Sequence, residues 1–430
     1  MTHEYKPETK ALHAGQTPDP TTLSRGVPVY RTSSYVFKDT THAANLFGLK
    51  ELGNIYTRLM NPTTDVLEQR LAALEGGAGS VALASGTTAI FYSIINLARV
   101  GDEIVSANDL YGGTFTQFNS ILPDLGIHAK FVDPQDPDNY KKAINDKTKA
   151  IYSEAIGNPA LNVPDYEALA EIAHDNDIPY IIDSTFATPL LLRPIDHGAD
   201  IVVHSLTKWI GGHGTAIGGA VVDSGKFDWK AADKHPLLTQ PDSGYHGLRY
   251  AIDLPEPLRP LAYALRLRLV PLRNLGAAIS PDNSWIFLQG LETLPLRIQR
   301  HSENAAKVAE YLEGHEKVAW VRYPGLDTHP TNHNAKKYLK NGFGGMVVFG
   351  IKGGRSAGEK FINNLKLFSH LANVGDAKSL ALHPASTSHS QLTDKQLLEG
   401  GITPDLVRLS IGIENIDDII EDIDATLKKT

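Results

Sequence analysis

The sequence predicts an α/β protein with a mostly parallel sheet. From about Leu67 onward, short runs of β-branched residues alternate with stretches of helical periodicity. This alternation is typical of a sheet whose strands are joined by helices that cover its faces. In chain order, the runs that predict strands are "SVALAS", "EIVSA", "AKFVD", "KAIYSEA", "YIIDST", "DIVVHSL" and "IGGAVV". At 430 residues the chain is also long enough for two or more domains.

The same patterns divide the chain into three regions. Residues 1–65 are rich in Thr, Pro and Gly and only weakly periodic, which favours an extended arm ahead of the core. Residues 66–282 contain the predicted strands and form a large domain. Residues 283–430 are expected to form a smaller α/β domain at the carboxyl end.

Composition and charge narrow the choice of partners. The 41 Lys and Arg residues against 49 Asp and Glu residues give a net charge of −8, without a long block of either sign. This argues against a nucleic-acid partner or a charged membrane anchor and favours a small-molecule substrate. The chain contains no cysteine, so disulfides and thiolate chemistry are excluded. No metal site is expected, because Pro330 interrupts the pair formed by His329 and His333.

The sequence also predicts a cytoplasmic location. Its opening, "MTHEYKPETK", has none of the apolar core of a signal peptide. The most apolar long run, residues 81–100, is broken by polar residues and by Arg99. No membrane association is therefore expected.

A predicted anion site follows the first strand of the large domain. "SVALASGTTAIFYSIINLA" has the pattern of a strand, a tight turn and a helix, with Ser85, Gly86 and Thr87 at the turn. Backbone N–H groups and the positive end of the helix dipole converge at such a turn and suit a phosphate group. By itself this pattern is more often an ordinary helix cap.

Two more polar groups follow strands of the same predicted sheet, and ligands of such sheets bind beyond the carboxyl ends of the strands. Asp183 ends the run "YIIDST", although an acid there is more often a cap or a surface residue. Lys208 follows "DIVVHSL" together with Ser205 and Thr207. A loop lysine is usually solvated, but apolar neighbours such as Trp209 can lower its pKa and make it a nucleophile.

These three features together match the needs of pyridoxal phosphate. Its phosphate needs a cradle of N–H groups, its aldehyde needs an amine, and its ring nitrogen needs an anion. The turn at 85–87, Lys208 and Asp183 would supply them. The sequence therefore predicts pyridoxal phosphate as the cofactor.

The chain resembles the Cys/Met-metabolism family of fold-type I enzymes that depend on pyridoxal phosphate. The resemblance covers almost the whole chain, and the ordered set of motifs is much more specific than any one of them. The motifs are "YTRLMNPT", "ASGTTA", "DLYGGT", "GNPA", "DSTFATP", "SLTKWIGGHG", "GLETLPLR", "YPGL" and "VRLSIGIE". It implies the fold of the aspartate aminotransferase-like transferases.

The resemblance assigns roles at the cofactor. It implies that Lys208 bonds the cofactor aldehyde, that Asp183 pairs with the pyridine nitrogen, and that Tyr111 stacks on the ring and assists catalysis. The expected phosphate ligands are Ser85, Gly86, Thr87, Ser205 and Thr207. In relatives the Tyr and Arg of the "YTR" motif reach into a neighbouring subunit, so Tyr56 and Arg58 are expected to complete that subunit's site. A dimer is then required, and assembly as a dimer of dimers is expected.

Substrate recognition is predicted at the last strand. In "LVRLSIGIE", the residues Val407, Leu409 and Ile411 alternate with Arg408, so Arg408 faces away from the core and can clamp a substrate carboxylate. The resemblance agrees and adds Asn158 and Ser379 as substrate-binding residues.

Within the family, the stretch "VGDAKSLALHPASTSHSQL" together with "GLETLPLR" resembles the O-acetylhomoserine sulfhydrylases. The implied reaction is γ-replacement, in which O-acetylhomoserine and sulfide give homocysteine and acetate. Methionine γ-lyases typically have a cysteine where this chain has Gly113. A cystathionine γ-synthase, a γ-lyase or a non-catalytic relative remain alternatives, and the acyl group and the sulfur donor stay open.

A segment at about 226–260 lengthens the chain beyond the shorter cystathionine enzymes. It is rich in Pro, His and Asp and resembles an insertion found in the sulfhydrylases. We expect it to pack at the mouth of the site or at a subunit contact. By contrast, His204 alternates with buried strand residues and is expected to be a hydrogen-bonded core histidine, not a catalytic base.

Overall fold

The computed structural model describes residues 4–387 and 401–430 and has two sheets covered by helices. The strands are β1 Gly79–Leu83, β2 Glu103–Ala107, β3 His128–Val132, β4 Thr148–Glu154, β5 Tyr180–Asp183, β6 Ile201–Ser205, β7 Gly219–Asp223, β8 Val318–Arg322, β9 Met346–Ile351, β10 Ser369–His370, β11 Leu380–Leu382 and β12 Leu406–Ser410. Each of the seven predicted runs overlaps one of the first seven strands, so the predicted α/β class is confirmed.

Helices connect and cover the strands. They are α1 Pro7–His13, α2 Thr40–Phe47, α3 Pro62–Glu75, α4 Gly86–Ile95, α5 Gly112–Thr116, α6 Leu122–Asp124, α7 Pro137–Ala143, α8 Tyr166–His174, α9 Thr188–Leu191, α10 Pro236–Thr239, α11 Tyr250–Asp253, α12 Ala262–Leu267, α13 Arg273–Leu275, α14 Pro281–Glu313, α15 Asn332–Tyr338, α16 Gly354–Asn364 and α17 Ile416–Leu427. None of the helices in the described ranges is long and apolar enough to cross a membrane.

The larger sheet has the order β1-β7-β6-β5-β4-β2-β3. Strands β2 to β6 pair in parallel, whereas β7 pairs antiparallel with both β1 and β6. Strands β4 and β5 are buried along their whole length, as expected where helices cover both faces of a parallel sheet. The parallel strands place their carboxyl ends, and the polar residues that follow them, along one edge.

The smaller sheet lies in the last third of the chain. Its order is β10-β11-β12-β9-β8, with only the short β10–β11 pair parallel. The helix α14 packs on β8 and β9, and also on α1 and α3. The predicted boundary at residue 282 falls in the first turn of α14, so one helix adjoins both sheets.

The first 65 residues combine docked and exposed parts. Ala11 of α1 is fully buried, and α1 packs on α3 and α14. Further along, Val36 is 97% exposed. The carbonyl of Leu59 accepts a hydrogen bond from Arg268, which also donates to the Ser80 carbonyl near the start of β1. Residues next to Leu59 therefore lie toward the amino edge of the large sheet.

The segment at 226–260 also packs at the amino edge of the large sheet. Lys149, at the start of β4, donates to the Lys234 carbonyl at 2.8 Å, and Lys234 donates to the Asn176 carbonyl before β5 at 2.6 Å. Further along, Asp242 pairs with Arg266 at 3.3 Å. Because the strands are parallel, this edge is opposite Lys208. The expectation that these residues line the mouth of the chain's own site is therefore wrong, and their role at a subunit contact stays a prediction.

Candidate active site

The carboxyl edge of the large sheet brings the predicted polar residues together. Asp183 is the last residue of β5, and Ser205 is the last residue of β6. Glu154 ends β4 and lies directly opposite Asp183 in the register of the two strands. The structure thus places the predicted residues at one sheet edge, together with Glu154, which the strand-end argument had not included.

The turn between β1 and α4 has the form of a phosphate cradle. The Ser85 hydroxyl caps α4 by accepting the Thr88 N–H at 3.1 Å. A Cβ at Gly86 would lie 2.5 Å from the Ser205 Cβ, so only glycine permits this close approach of the two elements. In the part of the chain that the structure describes, the N–H groups of Gly86 and Thr87 have no acceptor. They are free to bind an anion at the helix N-terminus.

The predicted Ser205 and Thr207 side chains border the same turn. The Ser205 N–H donates to the Thr185 hydroxyl at 2.8 Å, which ties the end of β6 to the residues after β5. The Thr207 hydroxyl accepts the Gly218 N–H at 3.1 Å. Both hydroxyl-bearing residues are half-buried, beside the Gly86 turn and Lys208.

Lys208 is half-buried, and its amine has one hydrogen-bond partner in the described ranges. Its Nζ donates to Asn373 Oδ1 at 2.6 Å. Burial lowers the pKa of the Lys208 ammonium to about 8, and the positive charge of Arg408 adds to the shift. At a pKa of about 8, roughly a tenth of the amine is unprotonated and nucleophilic at pH 7.

Asp183 is 8% exposed and accepts the Thr185 N–H at 2.9 Å. Burial raises the pKa of this carboxyl, while Thr185 and the nearby His204 oppose the rise. His204 itself is fully buried and bonds Glu75 at 2.6 Å, which confirms the predicted core histidine. Asp183 is thus a buried acid suited to pair with a cationic ring nitrogen.

Tyr111 stands at the start of α5, with its ring 48% exposed. The Tyr111 N–H donates to Glu154 Oε1 at 2.6 Å. A Cβ at Gly113 would lie 2.5 Å from the Tyr111 ring, so the ring occupies the space that a larger residue at 113 would need. The exposed ring is available to stack on a planar ligand.

Arg408 lies in the middle of β12, between Val348 of β9 and Leu382 of β11. The alternating residues Val407, Leu409 and Ile411 are fully buried, as predicted. Burial lowers the pKa of the Arg408 guanidinium to about 10, and Tyr111 opposes the shift. No carboxylate of residues 4–387 or 401–430 pairs with Arg408, so the cation can accept the carboxylate of a ligand.

A model of the Cys/Met metabolism PLP-dependent enzyme family matches residues 8–428. The chain belongs to this family. It is 55% identical over its whole length to the "O-acetyl-L-homoserine sulfhydrylase" of Leptospira meyeri, covering 98% of that protein. It is 54% identical to the "Homocysteine synthase" of Schizosaccharomyces pombe, covering 98% of each chain.

A solved structure from Campylobacter jejuni extends these similarities to the fold. That protein, described as a putative O-acetylhomoserine (thiol)-lyase with a pyridoxyl-lysine phosphate, is 43% identical. The match covers 99% of this chain and 100% of that one, with a TM-score of 0.94. The fold-type I architecture and the pyridoxal phosphate cofactor predicted from the sequence are confirmed.

The residues at the carboxyl edge fit the cofactor of the family. The close approach at Gly86 and the two open N–H groups of α4 suit its phosphate. Lys208 offers an amine with a lowered pKa for its aldehyde. Asp183 offers a buried carboxyl for its ring nitrogen.

Asn158 and Ser379, the two residues predicted to bind the substrate with Arg408, make different hydrogen bonds within the chain. Asn158 is buried, and its N–H donates to the Asp109 carbonyl at 3.3 Å. The Ser379 hydroxyl donates to Glu414 Oε2 at 2.9 Å and accepts the Gly412 N–H at 2.9 Å. These bonds occupy the Ser379 side chain in shaping its loop, and its contact with substrate stays a prediction.

Tyr56 and Arg58 do not join the site of their own chain. Both side chains are exposed, and the Arg58 guanidinium carbon lies 5.0 Å from the centre of the Tyr56 ring. The adjacent Leu59 is bound by Arg268 near the amino edge of the sheet. This position leaves the two side chains free to contact another subunit.

Sequence reasoning missed three residues of the site. Glu154 could have been found by the same strand-end argument, because it ends "KAIYSE". Asn373 gave no signal, since it is 165 positions from Lys208 along the chain. Arg297, in the "GLETLPLR" motif, is buried and donates to the carbonyls of Trp209 at 2.7 Å and Ile210 at 3.1 Å. It thereby holds the turn that bears Lys208.

Proposed function

We propose that this protein is an O-acetylhomoserine sulfhydrylase, which converts O-acetylhomoserine and sulfide into homocysteine and acetate. The observation that supports it most directly is that the half-buried Lys208 amine, at the sheet edge where Asp183 ends β5, lies near Arg408, a guanidinium without a carboxylate partner in the described ranges. Such a site suits an amino-acid substrate, since it has a nucleophilic amine and a clamp for a carboxylate. The names of the relatives from L. meyeri and S. pombe support the choice of reaction.

Each residue has a task in this proposal. Bound pyridoxal phosphate supplies an aldehyde that captures the substrate amino group and a ring that withdraws electrons from the α-carbon. Arg408 binds the substrate carboxylate and fixes the orientation of the α-carbon. Lys208 Nζ would take the α-proton and pass it to the bound cofactor, which leaves the amine free to take the β-proton as acetate departs from the γ-carbon as an anion. Hydrosulfide would add at that carbon, Lys208 would return the β-proton, and the first proton would return to the α-carbon through the same amine.

The remaining predicted residues complete the proposal. The phosphate is held by Ser85, Gly86, Thr87, Ser205 and Thr207. Tyr111 stacks on the ring and assists proton transfer, and Asp183 keeps the ring nitrogen protonated. Asn158 and Ser379 help to bind the substrate.

The quaternary arrangement belongs to the same proposal. Residues 1–65 act as an arm whose Tyr56 and Arg58 complete the phosphate site of a neighbouring subunit. Residues 66–282 form the cofactor domain and residues 283–430 the smaller domain. The enzyme assembles as a dimer of dimers in the cytoplasm, and the exposure of Tyr56 and Arg58 supports their role across subunits.

Product analysis tests this function. The purified, cofactor-loaded protein is given O-acetylhomoserine with sulfide, with cysteine, or without a thiol, in parallel. We expect homocysteine with sulfide and little ketobutyrate without a thiol. Cystathionine from cysteine would instead identify a cystathionine γ-synthase, and ketobutyrate as the main product throughout would identify a γ-lyase.

A further inference from the structure

Two buried carboxyl groups end neighbouring strands beneath the candidate cofactor site, and the mechanism above uses only one of them. Glu154 ends β4 and Asp183 ends β5, as partners in the register of the two strands. Both side chains are less than a tenth exposed. A third carboxyl, that of the half-buried Asp109, accepts the side-chain amide of Asn162 at 3.1 Å nearby. The unused Glu154 therefore needs an explanation of its own.

Glu154 is bonded to the backbone of the residue predicted to stack on the cofactor. Its Oε1 accepts the Tyr111 N–H at 2.6 Å, which ties the start of α5 to the end of β4. Among the described residues, the Tyr111 ring stacks on no other aromatic ring, and it is nearly half exposed. The ring lies close to Gly113, and the Glu154 hydrogen bond fixes the backbone from which the ring extends.

The surroundings of the two carboxyls decide which one is ionised. Two carboxylates at adjacent strand ends repel strongly when water is excluded. Asp183 accepts the Thr185 N–H and lies near His204, and both stabilise its charge. Glu154 has only the Tyr111 N–H, and the ionisable groups that face it are Asp183, Asp109 and the Tyr152 hydroxyl.

These contacts set the directions in which the pKa values of Glu154 and Asp183 are shifted. Burial, and then the charge of Asp183, raise the pKa of Glu154 well above its usual range. Burial also raises the pKa of Asp183, but Thr185 and His204 oppose that rise. These contacts favour the proton on Glu154 and the negative charge on Asp183.

We propose that Glu154 is a positioning residue that, as a neutral acid, fixes Tyr111 for stacking on the cofactor and leaves Asp183 as the anion for the ring nitrogen. The inference rests on the proposed function only in assigning Tyr111 to the cofactor ring. A neutral acid and an amide accept the same N–H hydrogen bond, so the two should be interchangeable at this position.

The test compares Glu154→Gln, Glu154→Met and Glu154→Asp with wild type. The matched control is Glu103→Gln, which removes a carboxylate from the amino end of β2, where Glu103 pairs with Lys130 at 2.8 Å. Amide hydrogen exchange of Tyr111 is measured in the cofactor-free protein, together with the pH dependence of cofactor absorbance and the kcat and KM of the loaded enzyme. Thermal unfolding establishes that each variant is folded.

We expect Glu154→Gln and the control to keep kcat and KM within about twofold, with unchanged Tyr111 exchange and cofactor absorbance. Glu154→Met lacks the acceptor, so its Tyr111 amide should exchange faster and its kcat should fall roughly 10- to 100-fold. Glu154→Asp should behave like Glu154→Met, because its shorter side chain does not reach the Tyr111 N–H. If Glu154→Met does not fold, Glu154→Asp tests the hydrogen bond in its place.

Two results would overturn the proposal. The first is a Glu154→Gln variant that shifts the pH midpoint of cofactor absorbance or loses activity as Asp183→Asn does, since Glu154 would then act as an anion. The second is a folded Met or Asp variant with wild-type exchange and kcat. If wild type makes no homocysteine, the proposed function fails, but the exchange and absorbance measurements still decide the role of Glu154.

Discussion

The two edges of the large sheet differ in how completely their charged side chains are paired. At the amino edge, Lys130 meets Glu103 at 2.8 Å, and Lys149 meets Asp102 at 3.6 Å. Within the described ranges, the Lys208 amine at the carboxyl edge has only an amide oxygen as partner, and Arg408 of β12, whose charge acts on that amine, has no carboxylate. Buried cations without counterions cost free energy, so they persist where a ligand completes them. We therefore propose that the incompletely paired carboxyl edge is the functional one.

The largest effect on the difference between the two edges is expected for Lys208→Ala. We expect the variant to lose the covalently attached cofactor and more than about a thousandfold of its activity, because its only amine for the aldehyde is gone. Visible absorbance and borohydride reduction of the cofactor measure the attachment. Persistence of reducible cofactor on the folded variant would remove Lys208 from its assigned role.

Variants of Arg58 and Lys208 test whether a neighbouring subunit completes the site at the carboxyl edge. Arg58→Ala and Lys208→Ala should each be nearly inactive alone. When the two variants are unfolded and refolded together, the mixed dimer contains one intact site. About a quarter of wild-type activity should then return, because half of the dimers are mixed and each has one of two sites. Refolding each variant alone is the control, and an inactive mixture would contradict the arrangement across subunits.

Arg408→Lys tests whether Arg408 binds the substrate carboxylate. A point charge replaces a planar, bidentate donor, so we expect KM for O-acetylhomoserine to rise about tenfold or more while the cofactor stays bound. Steady-state kinetics measure KM, and absorbance verifies cofactor content. Arg58→Lys serves as a matched change at a residue that is not assigned to the substrate carboxylate. An unchanged KM would exclude Arg408 as the clamp.

The pH dependence of cofactor attachment should follow the lowered pKa of Lys208. Because the neutral amine is the nucleophile, the attachment rate to cofactor-free protein should rise with pH and level off above about 8. Removing the Arg408 charge in Arg408→Gln should move the midpoint upward, since that charge helps to lower the pKa. Stopped-flow absorbance measures both midpoints. A midpoint near that of ordinary lysine in wild type would contradict the lowered pKa.

The stability of cofactor-free protein gives a linked prediction. A lysine whose folded pKa lies below its unfolded value binds fewer protons when folded, so Lys208 should add stability as pH rises from about 8 toward 10.5. In Lys208→Met this contribution is absent. The difference in unfolding free energy between the two proteins, measured by denaturant titration across this range, checks the sign.

The smallest effects are expected at the paired edge. Lys130→Met removes a partly exposed ion pair and should change the unfolding free energy by at most about 1 kcal/mol, without altering kcat or KM. Denaturant titration and the standard assay measure both. A large loss of activity would show that the two edges are not functionally distinct.

Local sequence patterns predicted the strands correctly and suggested the residues that we propose for the catalytic centre. The runs from "SVALAS" to "IGGAVV" predicted seven strands because a doubly covered sheet requires apolar, β-branched residues at every position. Asp183 and Lys208 were found because parallel strands end at a common edge. The position of the 226–260 segment was missed, since its contacts with Asn176 and Lys149 involve residues distant in the chain.

By itself, the sequence determined the fold class and the cofactor and led to the proposal of Lys208 as the nucleophile, because periodicity and strand-end residues are local properties. Only the tertiary structure decided that Asn373 meets Lys208, that Glu154 meets Tyr111, and that Ser379 is bonded to Glu414. These contacts join residues 35 to 165 positions apart. Their burial sets which groups are charged, and no local pattern contains that information.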